Sequence, residues 1–146
     1  MSLWKQPADL ARINAWSANT MMETLGIRIT AIGDDWLAGT MPVDHRTHQP
    51  YGLLHGGASV VLAETLGSTA AMLTLDPEKE LAVGLDINAN HIRGVRSGIV
   101  TGTARALHIG RSTQVWEIRI ESEDGALVCI SRITMAVIAA RTVATR

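Results

Sequence analysis

The feature that most constrains the fold is a stretch over residues 57–75 that would be apolar on nearly every side of a helix. A surface helix shows a polar face, so a helix of this kind is covered by other elements on several sides. At 1.5 Å per residue it would be about 28 Å long. The stretch approaches membrane-spanning length, but Glu64 and several hydroxyl residues interrupt it. We therefore predict a buried helix within a globular fold.

Much of the remaining chain alternates with a period of two residues, which is the pattern of half-buried strands. Two predicted strands precede the long helix and four follow it, over residues 27–32, 36–43, 83–90, 99–107, 112–120 and 127–138. Short helices are predicted over 7–16 and 20–25, and a frayed tail over 141–146. An antiparallel sheet wrapped around the long helix would bury that helix, so the predicted class is α+β, with a single hotdog domain over residues 1–146.

The composition limits the partners that the chain can have. Hydrophobic residues make up 47% and charged residues 18%, and the formal net charge is −1 without any basic block, which argues against nucleic acid or an anionic membrane. The first ten residues lack the apolar core of a signal peptide, and the single Cys129 fits a reducing compartment, so we expect a cytoplasmic protein. A monomer would leave sheet edges and one side of the helix open, so we expect an isologous homo-oligomer.

Residues 55–68 combine two features of an acyl-transfer site. The glycines of His55-Gly56-Gly57 leave backbone N–H groups uncovered at a helix N-terminus, where the helix dipole favours negative charge. Glu64 is an isolated carboxylate on a helix that we expect to be buried, with no Lys or Arg between residues 53 and 75. We interpret the N–H of Gly56 as the donor that polarises a carbonyl and Glu64 as the nucleophile or general base, oriented by Ser68.

The alternative interpretations are structural. The glycine pair is also typical of a plain loop-to-helix junction, and Glu64 of a carboxylate paired with an Arg from elsewhere in the chain. On spacing alone Gln49 is a loop residue that caps a turn. An Arg beside Gly at a strand end suits phosphate, yet Arg93 or Arg111 taken alone is better explained as solvated surface. Neither a metal nor a cofactor is predicted, because the histidines lack metal-ligand spacing and no Rossmann or P-loop glycine pattern occurs.

Residues 41–68, MPVDHRTHQPYGLLHGGASVVLAETLGS, strongly resemble the hotdog-fold acyl-CoA thioesterases. The resemblance is to the bacterial group that acts on aryl-CoA thioesters, such as 1,4-dihydroxy-2-naphthoyl-CoA. It covers nearly the whole chain and continues in the segments at 88–91, 107–111 and 116–118. The group usually has His-His-Arg-Pro where residues 91–94 of this chain read His-Ile-Arg-Gly.

The resemblance implies hydrolysis of an acyl-CoA thioester to a free acid and CoA, with no cofactor. It also implies a homodimer or a dimer of dimers, in which Glu64 acts across the subunit interface on a substrate held by the other subunit. The residues implied at the thioester are Gly56, His55 and Gln49, with Ser68 supporting Glu64. The residues implied along the pantetheine and nucleotide of CoA are His91, Arg93, Gly110, Arg111 and Ser112.

Two other functions fit the same pattern. One is a hotdog acyl hydratase or dehydratase, in which His55 and Glu64 would serve as the acid/base pair. The other is a non-catalytic acyl-CoA-binding module, which would need an attached partner domain for which this chain has no room. The His55-Gly56-Gly57 junction favours thioester hydrolysis over both.

Overall fold

The computed structural model describes residues 1–143, in which six strands form one antiparallel sheet around a long helix. Two short helices come first, α1 (Leu10–Ala15) and α2 (Met21–Leu25). The strands are β1 (Arg28–Ile32), β2 (Trp36–Pro42), β3 (Glu80–His91), β4 (Ile99–Ile109), β5 (Thr113–Glu121) and β6 (Leu127–Ala139). The long helix is α3 (Gly56–Leu73), and a 3₁₀ helix, Ala140–Val143, ends the described part.

The sheet order is β1-β2-β4-β5-β6-β3, so β1 and β3 form its two edges. Helix α3 lies between β2 and β3 in sequence and packs against β2, β3, β4, β5 and β6. The predicted α+β architecture, an antiparallel sheet wrapped around one long helix, is confirmed. None of the helices in residues 1–143 combines the length and the apolar character needed to cross a membrane.

The observed helix ends differ from the predicted ones because capping side chains set them. Helix α1 begins three residues later than predicted, since the carboxylate of Asp9 accepts from the N–H groups of the first turn. Helix α3 begins one residue earlier, because His55 caps it, and it ends two residues earlier, at the C-cap Thr74. Residues 140–143 of the C-terminal segment form the 3₁₀ helix, and residues 144–146 of the predicted tail lie outside the described residues.

Glycines let α3 approach the sheet closely. Gly39 of β2 and Gly102 of β4 face each other in the strand register, and the buried side chain of Leu66 fills the hollow between them. A Cβ atom at Gly102 would lie 2.5 Å from Cδ1 of Leu66, and one at Gly39 would lie 2.8 Å from Cδ2. On the helix itself, a Cβ atom at Gly67 would lie 2.5 Å from Cγ2 of Ile133. These contacts fix the height of α3 above the sheet.

The N-terminal segment fastens the other end of α3. Gln6 is buried, and its side-chain amide donates to the carbonyl of Met72 at 2.7 Å and to that of Leu75 at 3.2 Å. The backbone N–H groups of Lys5 and Gln6 both donate to the carbonyl of Leu73. Carbonyls at a helix C-terminus lack intrahelical partners, so this segment satisfies groups that the helix cannot satisfy itself.

Strand β3 contains a bulge that changes its alternation. The sequence predicts Val83, Leu85, Ile87 and Ala89 on one face, but the register with β6 shifts between Gly84 and Asp86. Ile87 and Ala89 pack against the core, whereas Val83 and Leu85 are exposed. The extra residue of a bulge reverses the faces on one side of it, so Gly84 is the position that faces α3.

The close packing of Leu66 against Gly102 predicts how a substitution at Gly102 changes the free energy of unfolding. We expect Gly102→Ala to lower the free energy of unfolding by about 1–3 kcal/mol, because the added methyl group overpacks the core against Leu66. In the Leu66→Val background the same substitution will cost less, since the shorter side chain leaves room for the methyl group. Urea unfolding of the four proteins measures both effects. An equal loss in the free energy of unfolding in both backgrounds would show that the added methyl group does not overpack against Leu66.

Candidate active site

At the N-terminus of α3, one backbone N–H group has no hydrogen-bond acceptor among the described residues. Nδ1 of His55 accepts from the N–H of Gly57 at 2.8 Å, and the carbonyl of His55 accepts from the N–H groups of Ala58 and Ser59. The N–H of Gly56 donates to no acceptor in the described part of the chain. Because the dipole of α3 favours negative charge at this end, this N–H group is a ready donor for a polarised carbonyl oxygen.

The side chain of His55 caps the N-terminus of α3. Since Nδ1 accepts a hydrogen bond, the neutral ring carries its hydrogen on Nε2, which leaves Nε2–H as the available donor. A protonated ring would lose the cap. His55 therefore holds the helix start in place, and its ring faces solvent at the exposed end of the helix.

The loop that leads into α3 is fixed by its own hydrogen bonds. Thr47 is buried, its hydroxyl donates to the carbonyl of Pro42 at 2.8 Å, and its carbonyl accepts from the N–H of His55. Arg46 contacts Asp44 at 2.7 Å, and its hydrogen bond to Asp44 is the main cause that lowers the pKa of that carboxyl. The start of α3 is thus anchored to the end of β2.

An open cleft of about 320 Å³ borders the N–H of Gly56. It is lined by Gln49, Leu53, Leu54, Gly56, Ser59, His91, Ile92, Arg93, Gly94 and Val128. One wall is apolar and the other carries donors, which suits a ligand with an apolar body and a polar group to be oriented. The structure therefore brings together Gln49, Gly56, His91 and Arg93 of the residues predicted for the site.

Two side chains reach the cleft beside Gly56. Oε1 of Gln49 accepts from the N–H groups of Tyr51 and Leu53, so the residue caps a turn, while its NH₂ group remains as a donor beside the cleft. His91 lies against the helix start, because a Cβ atom at Gly56 would be 2.8 Å from its Nε2. The ring of His91 therefore borders the N–H of Gly56, next to the residues predicted for the thioester.

Arg93 lies at the rim of the cleft and contacts Asp124 at 3.7 Å, with both side chains exposed. The pKa of Asp124 is lowered, chiefly by a hydrogen bond from Ser122 and to a smaller degree by Arg93. An exposed ion pair of this kind is weak. Arg93 is accordingly able to exchange Asp124 for an anionic group of a ligand.

Glu64 is exposed in the isolated chain, so the expectation of a buried carboxylate is wrong for this state. The sheet covers one side of α3, and the N-terminal helices lie against the flank that carries Thr65 and Thr69. The flank with Glu64 is left open. The expected hydrogen bond from Ser68 to Glu64 is also not formed, because the hydroxyl of Ser68 donates to Sδ of Met135 at 3.9 Å.

Within one chain, Glu64 is too far from Gly56 to act on the same carbonyl. The Glu64 carboxylate lies against Gly84 of β3, whereas Gly56 lies against His91 of the same strand. Gly56 and Glu64 are eight residues apart on α3, which is roughly 12 Å along the helix axis. A thioester carbonyl polarised at Gly56 needs its nucleophile at about 3 Å. A single chain therefore keeps the two groups predicted for acyl transfer at separate places.

The predicted CoA residues are divided in the same way. Gly110, Arg111 and Ser112 form the turn between β4 and β5, and they border a cleft near Glu80 and Lys79 at the start of β3. His91 is at the end of β3, roughly 35 Å away along the strand. The structure does not bring these two groups together within one chain.

Sequence reasoning missed Ser59 as part of the site. Ser59 is buried and borders the cleft one turn after Gly56. Its spacing of three residues from Gly56 was a usable signal, since positions three apart share a helix face. Cys129 is buried in the core, and burial raises the pKa of its thiol, so it is unsuited to act as a nucleophile.

Comparison with known proteins identifies the family. A family model described as Thioesterase superfamily matches residues 51–129. The 1,4-dihydroxy-2-naphthoyl-CoA hydrolase of Escherichia coli is 52% identical over 136 residues, which cover 93% of this chain and 99% of that protein. The proofreading thioesterase EntH of Cronobacter sakazakii is 52% identical over 136 residues, covering 93% of this chain and 98% of that protein.

The fold agrees with this assignment. The crystal structure of a mutant thioesterase from Pseudomonas aeruginosa superimposes with a TM-score of 0.93 and 56% sequence identity, covering 94% of this chain and 99% of that chain. The same proteins confirm the predicted resemblance and the predicted enzyme class. The chain therefore belongs to the thioesterase superfamily, has the hotdog fold and is a thioester hydrolase.

Proposed function

We propose that this thioesterase hydrolyses acyl-CoA thioesters with aryl or hydroxyaryl acyl groups to the free acid and CoA. The observation that carries the proposal is the unsatisfied N–H of Gly56 at the cleft, where the dipole of α3 adds to its donor strength. The apolar wall of Leu53, Ile92 and Val128 suits a flat ring. The Escherichia coli relative, at 52% identity, is named for one such aryl-CoA.

In the proposed mechanism, Gly56 N–H binds the thioester carbonyl oxygen and stabilises the negative charge that develops on it. The NH₂ of Gln49 and the Nε2–H of His55 supply further donors that orient the thioester. Glu64 either attacks the carbonyl carbon to give an anhydride or removes a proton from the attacking water. Coenzyme A leaves as the thiolate in both routes, and in the first route water then hydrolyses the anhydride to the free acid and regenerates Glu64.

We propose that Glu64 comes from a second copy of the chain. Strand β3 is an edge, its Leu85 is exposed, and the open flank of α3 lies beside it. Antiparallel pairing of two β3 strands about a two-fold axis would cover this edge. It would also set the start of one β3 beside the end of the other, so that Gly110, Arg111 and Ser112 of one copy approach His91 and Arg93 of the other.

The proposed assembly is therefore a homodimer with its sites at the interface, and a dimer of dimers is its natural extension. His91, Arg93 and the turn at 110–112 would then lie along the pantetheine and nucleotide of CoA, where the guanidinium groups suit phosphate. Ser68 would support Glu64 once the interface forms. We also propose a cytoplasmic location, which agrees with the unpaired, buried Cys129.

The role of the Gly56 N–H is tested by comparing Gly56→Pro with Gly56→Ala. Both variants add a Cβ atom beside His91, but only proline removes the N–H. Gly56 is the first residue of α3, where proline is favoured, and His55 already has φ −67° and ψ 131°, as a residue before proline requires. We expect kcat of the proline variant to be roughly 100-fold to 1000-fold below that of the alanine variant. Equal kcat values would exclude the donor role.

The role of Glu64 and its origin are tested together by subunit mixing. We expect Glu64→Ala to fold normally and to lose nearly all turnover. When it is co-expressed with Gly56→Pro, mixed dimers contain one intact site, so a random mixture should regain about a quarter of wild-type activity. No recovery in verified mixed dimers would place both residues of a site on one chain. Substantial activity of Glu64→Ala alone would remove Glu64 from the mechanism.

The substrate class is tested by thiol release from benzoyl-, hydroxynaphthoyl-, medium-chain and long-chain acyl-CoA, followed with a thiol-reactive dye. We expect the highest kcat/KM on the aryl substrates, because the cleft of about 320 Å³ suits a ring better than a long chain. Glu64→Ala serves as the control for enzyme-independent hydrolysis. Higher kcat/KM on long-chain substrates would contradict the aryl assignment.

A further inference from the structure

Gly84 of β3 lies directly under the carboxylate of Glu64. A Cβ atom at Gly84 would be 3.0 Å from Oε1 of Glu64, and its next nearest atom, Cδ1 of Ile133, would be 3.9 Å away. The carboxylate thus lies next to a residue that has no side chain. A Cβ atom at position 84 would make Oε1 yield by a few tenths of an ångström.

The backbone at Gly84 does not itself require glycine. The glycines with positive φ are at positions 26, 52, 98 and 125, and Gly84 is not among them. Glycine inside a strand is unfavourable, and it commonly marks a bulge or a close approach of another group. Both apply here, because the bulge between Gly84 and Asp86 turns position 84 towards α3. The space needed by Glu64 remains as the reason for glycine.

We infer that Gly84 is a positioning residue for Glu64, an inference that rests on the proposed catalytic role of that carboxylate. Glu64 is exposed, and no hydrogen bond or ion pair to it occurs among the described residues. The close approach of Oε1 to position 84 is therefore a steric limit on where the carboxylate lies. Gly84 sets the height of Oε1 above β3, and with it the direction from which the carboxylate meets the substrate.

A methyl group at position 84 would move the carboxylate and leave the fold intact. At 3.0 Å the neighbouring atom must yield by a few tenths of an ångström, and that atom is the free end of a flexible side chain. The free energy of unfolding should therefore stay nearly unchanged, since alanine is at least as favourable as glycine inside a strand. Catalysis is less tolerant, because small misplacements of a reacting group cost large factors in rate.

The test measures benzoyl-CoA hydrolysis, thermal unfolding and oligomeric state for Gly84→Ala. We expect kcat to fall roughly 10-fold to 100-fold, because the carboxylate is displaced from its reacting position. KM should stay within about threefold, since displacing a reacting carboxylate leaves the contacts that bind the substrate in place. The unfolding temperature and the oligomeric state should not change. Val83→Ala, on the opposite face of the same strand, is the matched control and should retain wild-type kcat.

A double-mutant cycle separates positioning from a general effect on the strand. Glu64→Asp shortens the side chain by one methylene group, which withdraws the carboxylate from position 84. Gly84→Ala should therefore lower kcat several-fold less in the Glu64→Asp background than in the wild type. An equal loss in both backgrounds would overturn the inference, because it would mean that the methyl group acts independently of the length of residue 64.

The outcomes also separate this inference from the proposed function. Wild-type kcat in Gly84→Ala, together with an inactive Glu64→Ala, overturns the positioning role and leaves Glu64 as the catalytic carboxylate. Activity in Glu64→Ala overturns the proposed function itself. A changed oligomeric state or a lower unfolding temperature in Gly84→Ala would trace the loss to assembly or folding, and would overturn the inference as well.

Discussion

The packing of Leu66 between Gly39 and Gly102 is the contact on which the rest of the structure depends. It allows α3 to lie close to the sheet, and a helix held at one height has both its N-terminus and its side chains at fixed places. The start of the helix then meets the loop at 44–55 and the end of β3, where Gly56 and His91 adjoin. Two turns further on, the same height brings Glu64 onto β3 at Gly84. A helix raised by one methyl group would displace both Gly56 and Glu64.

The fold was predictable because its hydrophobic patterns extend over long helix and strand segments. A helix of 18 residues without a polar face and several strands of nine or more residues leave few other arrangements. The Gly56 donor was predictable as well, since it depends only on a capping residue and glycines adjacent in sequence. The exposure of Glu64 was not, because the sequence does not tell which flank of a covered helix stays open. The bulge at Leu85 was also hidden, since one extra residue leaves the apolar pattern of β3 unchanged.

The separation of the site within one chain has a simple geometric origin. Gly56 and Glu64 are on one helix, so their distance is set by the rise of that helix and no loop movement can shorten it. A rigid helix keeps donor and carboxylate apart within a chain, whereas the proposed two-fold axis beside the edge strand would bring one of each together from two chains. The proposed assembly would thus account for the exposed carboxylate, the unpaired edge strand and the open cleft together.

Glycines in ordinary backbone conformations are more informative here than glycines in turns. Those with positive φ are explained by the turns they occupy, at positions 26, 52, 98 and 125. Those inside strands and helices give up strand or helix propensity, and each lies beside a particular side chain. Gly39 and Gly102 make room for Leu66, Gly56 for His91, and Gly84 for Glu64. The absence of a Cβ atom thus lets the helix pack closely against the sheet and gives room to polar groups at the candidate site. A sequence pattern built on side chains does not show these close approaches.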